Sequence, residues 1–240
     1  MQKAEETDIQ RIDLRGVKVY PFSGTDELIS FADAHKGILV AVNAEKVMNA
    51  NPSTLKIINS NIAYCDGSGP VIAVRRKGAT SATKIAGCEL WLEIVRKFHA
   101  TKSFYIIGAK PEVNAATVAK LREDFPGINI VGSRDGYLKN ASDREQLIAD
   151  VAAKKPDVVF VAMGSPTQEI LMSDMLKRHK AIYQGLGGSF DVYTGRQKRA
   201  PKWWIDHNAE FVYRLLKNPR RLPRNMAQVK FAWLLLTHKF

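Results

Sequence analysis

Asp66 stands in the run Tyr64-Cys65-Asp66-Gly67-Ser68-Gly69, where a carboxylate follows a short apolar stretch and is flanked by glycines. A carboxylate so placed can take a proton from a bound hydroxyl or hydrogen-bond a ribose; the structural alternative is an Asp-Gly turn. Later in the chain, Gly185 to Pro201 reads GLGGSFDVYTGRQKRAP. Gly187 and Gly188 let backbone amides close on a ligand, Asp191 follows, and Arg196, Lys198 and Arg199 favour an anion. The chemistry suggested is recognition of a phosphorylated molecule, with a base at a different point of the chain.

Other residues have types and settings that suit the same task. Gly108-Ala109-Lys110-Pro111 is a glycine turn followed by a helix start, a setting that anions favour. Gly164-Ser165-Pro166 leads to Gln168, a neutral donor and acceptor, and to Glu169, an acid of the kind that supports a helix N-terminus. Asn43 ends the apolar run Ile38 to Val42 and either caps a helix at Ala44 or contacts a ligand. Tyr137, in GSRDGY (132–137), either stacks on a base or covers the sheet edge.

Several chemistries have no signature here. There is no DxD pair, no HExxH, and no cluster among His35, His99, His179, His207 and His238, so no metal site is expected. A P-loop and a GxSxG elbow are also missing from the sequence, which argues against an ATPase and a hydrolase. A departing diphosphate would then be met by Arg, Lys and helix N-termini.

The elements that must position these residues follow a repeating strand-helix pattern. Gly16 to Tyr20 reads as a first strand, with Ser23 capping a helix to about Ala34. Strands are then expected at 38–42, 61–65, 103–107, 128–131, 157–162 and 181–186, with helices between them and Ser142 capping the one that runs to Lys154. Right-handed crossovers bring the ends of parallel strands to one edge, at Asn43, Asp66, Gly108, Gly132, Gly164 and Gly187. The fold class is α/β, a Rossmann-like, mostly parallel sheet flanked by helices, carrying a basic C-terminal helical appendage. Residues 1–200 form the catalytic domain in this reading and 201–240 the appendage.

Charge separates the two parts. From Arg196 to Phe240 there are eleven Lys or Arg against Asp206 and Glu210, a net +9 of the chain's +12. An anionic partner follows: nucleic acid, a membrane face or a diphosphate substrate. The tail reads as two helices broken near Pro219. Leu215, Leu216, Leu222, Met226, Val229, Trp233 and Leu236 give it an apolar face, which suits a membrane interface better than RNA. Packing on its own domain or on another subunit, in a homo-oligomer, is the structural alternative. Cys65 and Cys88 show no metal spacing and fit a reducing compartment; the polar N-terminus lacks a signal-peptide core, and no apolar run spans a bilayer, so a cytoplasmic-side protein is expected.

Taken together, VAVNAEKV (40–47), YCDGSG (64–69), GSRDGY (132–137), AMGSPTQE (162–169), GLGGSFDVYTGRQKRAP (185–201) and YRLLKNPRR (213–221) resemble the WecG/TagA/CpsF glycosyltransferase family. Within it they look most like the members that transfer N-acetyl-D-mannosaminuronic acid for enterobacterial common antigen. The resemblance implies an inverting transfer that needs no metal and no cofactor, from a UDP-sugar donor to undecaprenyl-diphosphate-linked N-acetylglucosamine, by a peripheral protein on the cytoplasmic membrane face. A relative using UDP-N-acetylmannosamine for another surface polymer is the nearest alternative; a basic RNA-binding module is the alternative of a different class.

By the same resemblance Asp66 is the general base and Asn43 its catalytic companion. Gly108, Ala109, Tyr137, Gly164, Gln168, Gly187, Gly188 and Asp191 fall to the donor. Lys84 stands where the family usually has an arginine, so a point charge replaces a two-pronged grip on the donor diphosphate. Arg214, Arg220, Arg221 and Arg224 face the acceptor diphosphate or the membrane, and Arg75, Lys84 and Arg134 are the cations available to a uronic acid carboxylate.

Overall fold

The structure is a computed structural model that describes residues 9–197, 201, 204 and 222–237; for 222–225 it describes the backbone. Six strands form one parallel sheet: β3 (Gly37–Val42), β4 (Ile62–Cys65), β5 (Ser103–Gly108), β6 (Asn129–Arg134), β7 (Val158–Ala162) and β8 (Ile182–Gly185). Their spatial order is β4-β3-β8-β7-β5-β6. The strands are short runs of apolar residues because both faces are covered by helices, as parallel sheets require. Alternation within each strand divides the core in two. Ile38, Val40 and Val42 of β3 pack with Val159 and Val161 of β7 on one face, whereas Leu39 packs with Phe104, Val158 and Phe160 on the other.

On the first face lie α2 (Ala44–Met48), α3 (Pro52–Asn59), α4 (Ser68–Arg76), α7 (Ala141–Lys154) and α8 (Thr167–Arg178). On the second lie α1 (Thr25–His35), α5 (Gly87–Phe98), α6 (Pro111–Asp124) and the short α9 (Ser189–Tyr193). The topology is Rossmann-like: β3 connects outward to β4 and β5 outward to β6, in opposite directions. The crevice between these departures lies over the carboxyl ends of β8 and β7, where open α/β sheets bind ligands.

Four sequence expectations shift. Gly16 to Tyr20 holds a strand, as expected, but outside the main sheet. There β1 (Ile12–Leu14) and β2 (Val17–Val19) form an antiparallel hairpin, turning through Arg15 and Gly16 at φ of 59° and 88°. Ser23 does not cap α1; Gly24 occupies the N-cap, and the Ser23 amide and hydroxyl both donate to Glu27. Ser142 lies inside α7, whose cap is Asn140, accepting from the Asp143 amide at 2.9 Å. Gly132 is an interior residue of β6, so that strand ends at Arg134; Gly132 sits beside the ring of Tyr105 at a register shift, where a Cβ has no room.

The last described helix, α10 (Leu222–Leu236), packs on α2 and α4 of the first face. Ala227, Phe231, Leu234 and Leu235 are buried, a spacing that places them on one side of the helix. Phe231 seats on Gly69: a Cβ there would stand 3.0 Å from the ring, so the glycine makes room for the aromatic. Arg76 donates to the carbonyl of Leu235 and holds the helix end. The expected break near Pro219 and the boundary near residue 200 lie outside the described residues.

Candidate active site

Asn43 and Asp66 emerge side by side from β3 and β4, which pair in register up to Val42 and Cys65. The Asp66 amide donates to the Val42 carbonyl at 2.8 Å, fixing the first turn after the strand. Gly67 follows at φ 107°, a conformation open to glycine, and α4 starts at Ser68. The Asp66 side chain is half-buried at this edge. Asn43 caps α2 through Oδ1, which accepts from the Lys46 amide at 2.9 Å. Its cap role therefore holds, and it uses the amide oxygen, leaving the NH₂ group as the end able to donate to a ligand.

Cys65 stays a thiol. Burial, reinforced by the Asp66 charge, pushes its pKa up to about 12, so it offers no nucleophile beside the carboxylate. Lys84 is exposed, in the segment pinned to β4 by the bond from the Ile85 amide to the Cys65 carbonyl at 3.0 Å. Arg75 is partly committed elsewhere, its Nε donating to the Ala82 carbonyl at 2.7 Å.

The glycine turns over β7 and β8 are tied by one side chain. Gln168 is buried at the start of α8, and its Oε1 accepts from the amides of Gly164 and Gly187 at 3.1 and 3.0 Å. Both glycines have positive φ, 78° and 56°. Gln168 thus shapes the floor of the crevice through its oxygen. Glu169, next to it, accepts from Lys46 of α2 and from the Ser165 hydroxyl, each at 2.9 Å. Burial works against its charge, but Lys46 and these hydrogen bonds hold its pKa below the ordinary value. Gly188 is the N-cap of α9, and Asp191 lies half-buried within that helix.

At the other end of the edge, Gly108 turns out of β5 at φ 115°, with no room for a Cβ against the Ala162 backbone. Ala109 follows at φ 58°, bridging β7 and the β6 exit: its amide donates to Ala162 and its carbonyl accepts from Gly136. A cavity of about 610 Å³ opens there, lined by Lys110, Arg134, Tyr137 and Lys139 among others. Tyr137 is 57% exposed, so it does not act as a cover for the sheet. Asp135 and Asp143 line it too, Asp143 3.8 Å from Arg134, so three cations outnumber two carboxylates; with the aromatic face and the Pro111 helix start, the lining suits a nucleoside diphosphate. Lys110 and Lys139 were not singled out from sequence; the position of Lys110 directly after the glycine turn was the available signal.

Among the described residues no group of three or more His, Cys, Asp or Glu is placed to hold a metal ion. A family model described as the glycosyl transferase WecG/TagA/CpsF family matches residues 12–240. The chain belongs to this family. It is accordingly a glycosyltransferase, of a family that works on UDP-sugars and lipid-linked acceptors in making surface polymers. The WecG/TagA/CpsF match runs through α10 as well as the sheet. Arg214, Arg220 and Arg221 lie outside the described residues, as does the side chain of Arg224. No described helix is long and apolar enough to cross a membrane.

Proposed function

We propose that this glycosyltransferase moves N-acetyl-D-mannosaminuronic acid from UDP to undecaprenyl-diphosphate-linked N-acetylglucosamine, with inversion and without a metal, in enterobacterial common antigen synthesis. The observation that carries the reading is the division of the sheet edge. A cationic cavity lies over β5 and β6, and a carboxylate beside an asparagine lies over β4 and β3. From β5 to β4 is four inter-strand steps, about 19 Å at ~4.8 Å each. A donor with its nucleotide over β5 and β6 therefore extends its sugar across the Gly164 and Gly187 turns toward Asp66.

In this mechanism Asp66 takes the proton of the acceptor hydroxyl as its oxygen attacks the anomeric carbon from the side opposite UDP. Asn43 orients the acceptor or the sugar through its amide. Lys110, Arg134 and Lys139, with the α6 N-terminus, stabilise the charge that grows on the leaving diphosphate. Lys84, in the segment pinned to the Cys65 carbonyl, is the cation at the sugar end for the uronic acid carboxylate. Asp191 positions the donor, and Gly108, Ala109 and Gly188 keep backbone close to it.

The site would work at a cytoplasmic membrane face. Met226, Val229, Trp233 and Leu236 form a second stripe on α10 and are exposed, Trp233 by 55%. An aromatic and aliphatic stripe on a helix already docked by its other side suits insertion into lipid headgroups. The tail arginines would then meet the acceptor diphosphate.

Transfer to a soluble N-acetylglucosamine-diphosphate acceptor tests the reading, with UDP-N-acetylmannosaminuronic acid and UDP-N-acetylmannosamine as competing donors and Asp66→Asn as the variant. Turnover of the uronic acid donor that falls by at least about a thousandfold in the variant is expected. Preference for the unoxidised sugar removes the donor assignment, and near-normal turnover of Asp66→Asn removes the base.

A further inference from the structure

Two polar side chains lie buried beneath Asp66 in strands that otherwise hold apolar residues. Tyr64 of β4 and Gln184 of β8 flank β3 on the α5 face, where Ala41 and Leu39 are their register partners. The small side chain of Ala41 leaves the gap that both project into. Among the described residues, neither the Tyr64 hydroxyl nor the Gln184 Oε1 makes a well-formed hydrogen bond, although both are shielded from water and the Gln184 side chain lies close enough to act on the phenol. Leaving such buried groups without a good partner costs stability, so their retention calls for a function.

Gly87 shows where the hydroxyl points. A Cβ built on Gly87 would stand 2.9 Å from the Tyr64 oxygen and 3.7 Å from Asp66 Oδ2. The phenol and the carboxylate thus look onto one point in space, kept open by a missing side chain. Gly87 is the first residue of α5 and is not among the positive-φ glycines, so its backbone does not require glycine. Alanine would favour the helix more; the space is what glycine provides. Gln184 fixes the rim of this space, its Nε2 donating to the Gly87 carbonyl at 2.9 Å.

We propose that Tyr64 is the positioning residue for Asp66, its hydroxyl donating to one carboxylate oxygen in the reactive rotamer so that the other faces the acceptor hydroxyl. Gln184 holds the Gly87 turn that keeps this path clear. The inference rests on the reading of Asp66 as the base. The phenol stays protonated throughout, since burial first and the Asp66 charge second raise its pKa well above the ordinary value. The Asp66 charge is felt by Tyr64 and Cys65 of β4, and Cys88 of α5 also acts on Tyr64; Lys84 lies in the segment pinned to the Cys65 carbonyl, and α10 brings Phe231 to Gly69.

A donor to a carboxylate favours its charged form, so removing it raises the carboxylate pKa and moves the acid limb of the rate profile to higher pH. The test is the pH dependence of kcat/KM for Tyr64→Phe, with Gly87→Ala as a second variant that fills the gap and keeps the phenol. Expected are an acid limb about one unit higher and a kcat roughly tenfold lower in Tyr64→Phe, with donor KM unchanged. Gly87→Ala should show the same shift. An unmoved limb and kcat in Tyr64→Phe, with a raised melting temperature from loss of an unpaired hydroxyl, would overturn the proposal. Asp66→Asn, measured beside them, separates the two failures: if it is inactive the base stands whatever Tyr64 does, and if it is active both readings fall.

Discussion

The Lys46 ammonium of α2 lies 2.9 Å from the Glu169 carboxylate of α8, joining two helices 123 residues apart in sequence on one face of the sheet. Lys46 also supplies the amide that Asn43 caps, and Glu169 adjoins Gln168, which ties the β7 and β8 turns. One ion pair therefore joins the supports of both halves of the site.

Breaking this pair should cost stability. Lys46 retains 27% exposure of its side chain, so Glu169→Gln or Lys46→Met is expected to lose about 2–3 kcal/mol, at or below the lower end for fully buried pairs. The pH dependence carries the sign. Glu169 has a lowered folded pKa, so its contribution is full above the unfolded value and is lost as pH falls below about 4.5. Urea midpoints between pH 7 and pH 3 should fall less steeply in Glu169→Gln than in the parent.

Gly108→Ala should cost more than any surface change. It places a side chain at φ 115° and drives Cβ into the Ala162 backbone, where no rotamer gives relief. A loss above about 3 kcal/mol is expected, strain of about 1–3 kcal/mol plus the clash. A denaturant midpoint within error of the parent would contradict the described turn.

Tyr137→Ala probes the nucleotide end without disturbing the fold, because the ring is largely exposed and packs on no core cluster. Stacking on a base is worth about 1–3 kcal/mol, so donor KM should rise about tenfold with kcat and melting temperature little changed. Steady-state kinetics with varied UDP-sugar decides it.

Trp233→Ser with Met226→Ser should abolish sedimentation with anionic vesicles at physiological salt and leave the melting temperature within about 1 °C, since both side chains are exposed. Retained sedimentation would place the lipid contact elsewhere on the chain.

The sheet was legible because parallel strands covered on both faces are short apolar runs, and six such runs stand between helical stretches. The hairpin at Ile12–Val19 was not, since its turn uses Arg15-Gly16 in place of Asn-Gly or Asp-Gly and its second strand alternates like any edge strand. Asp66 and Asn43 were readable as strand ends. Lys110 and Lys139 were hidden among many surface cations, and local sequence has no way to pair Lys46 with Glu169. Tyr64 and Gln184 lay inside IAYC and IYQG, where a single polar letter in an apolar run reads as noise until burial is known.

Phe231 rests on Gly69, two residues beyond the glycine that follows Asp66, while α10 also packs on α2, the helix that Asn43 opens. A fragment ending before Leu222 would strip cover from both helices that begin beside Asn43 and Asp66. Such a fragment should precipitate and melt early although Asn43, Asp66 and the residues lining the β5 and β6 cavity are all still in its sequence. Protein made for ligand screening therefore needs the C-terminal helix, with its solubility recovered by changing Trp233 and Leu236 on the outward stripe and keeping Phe231.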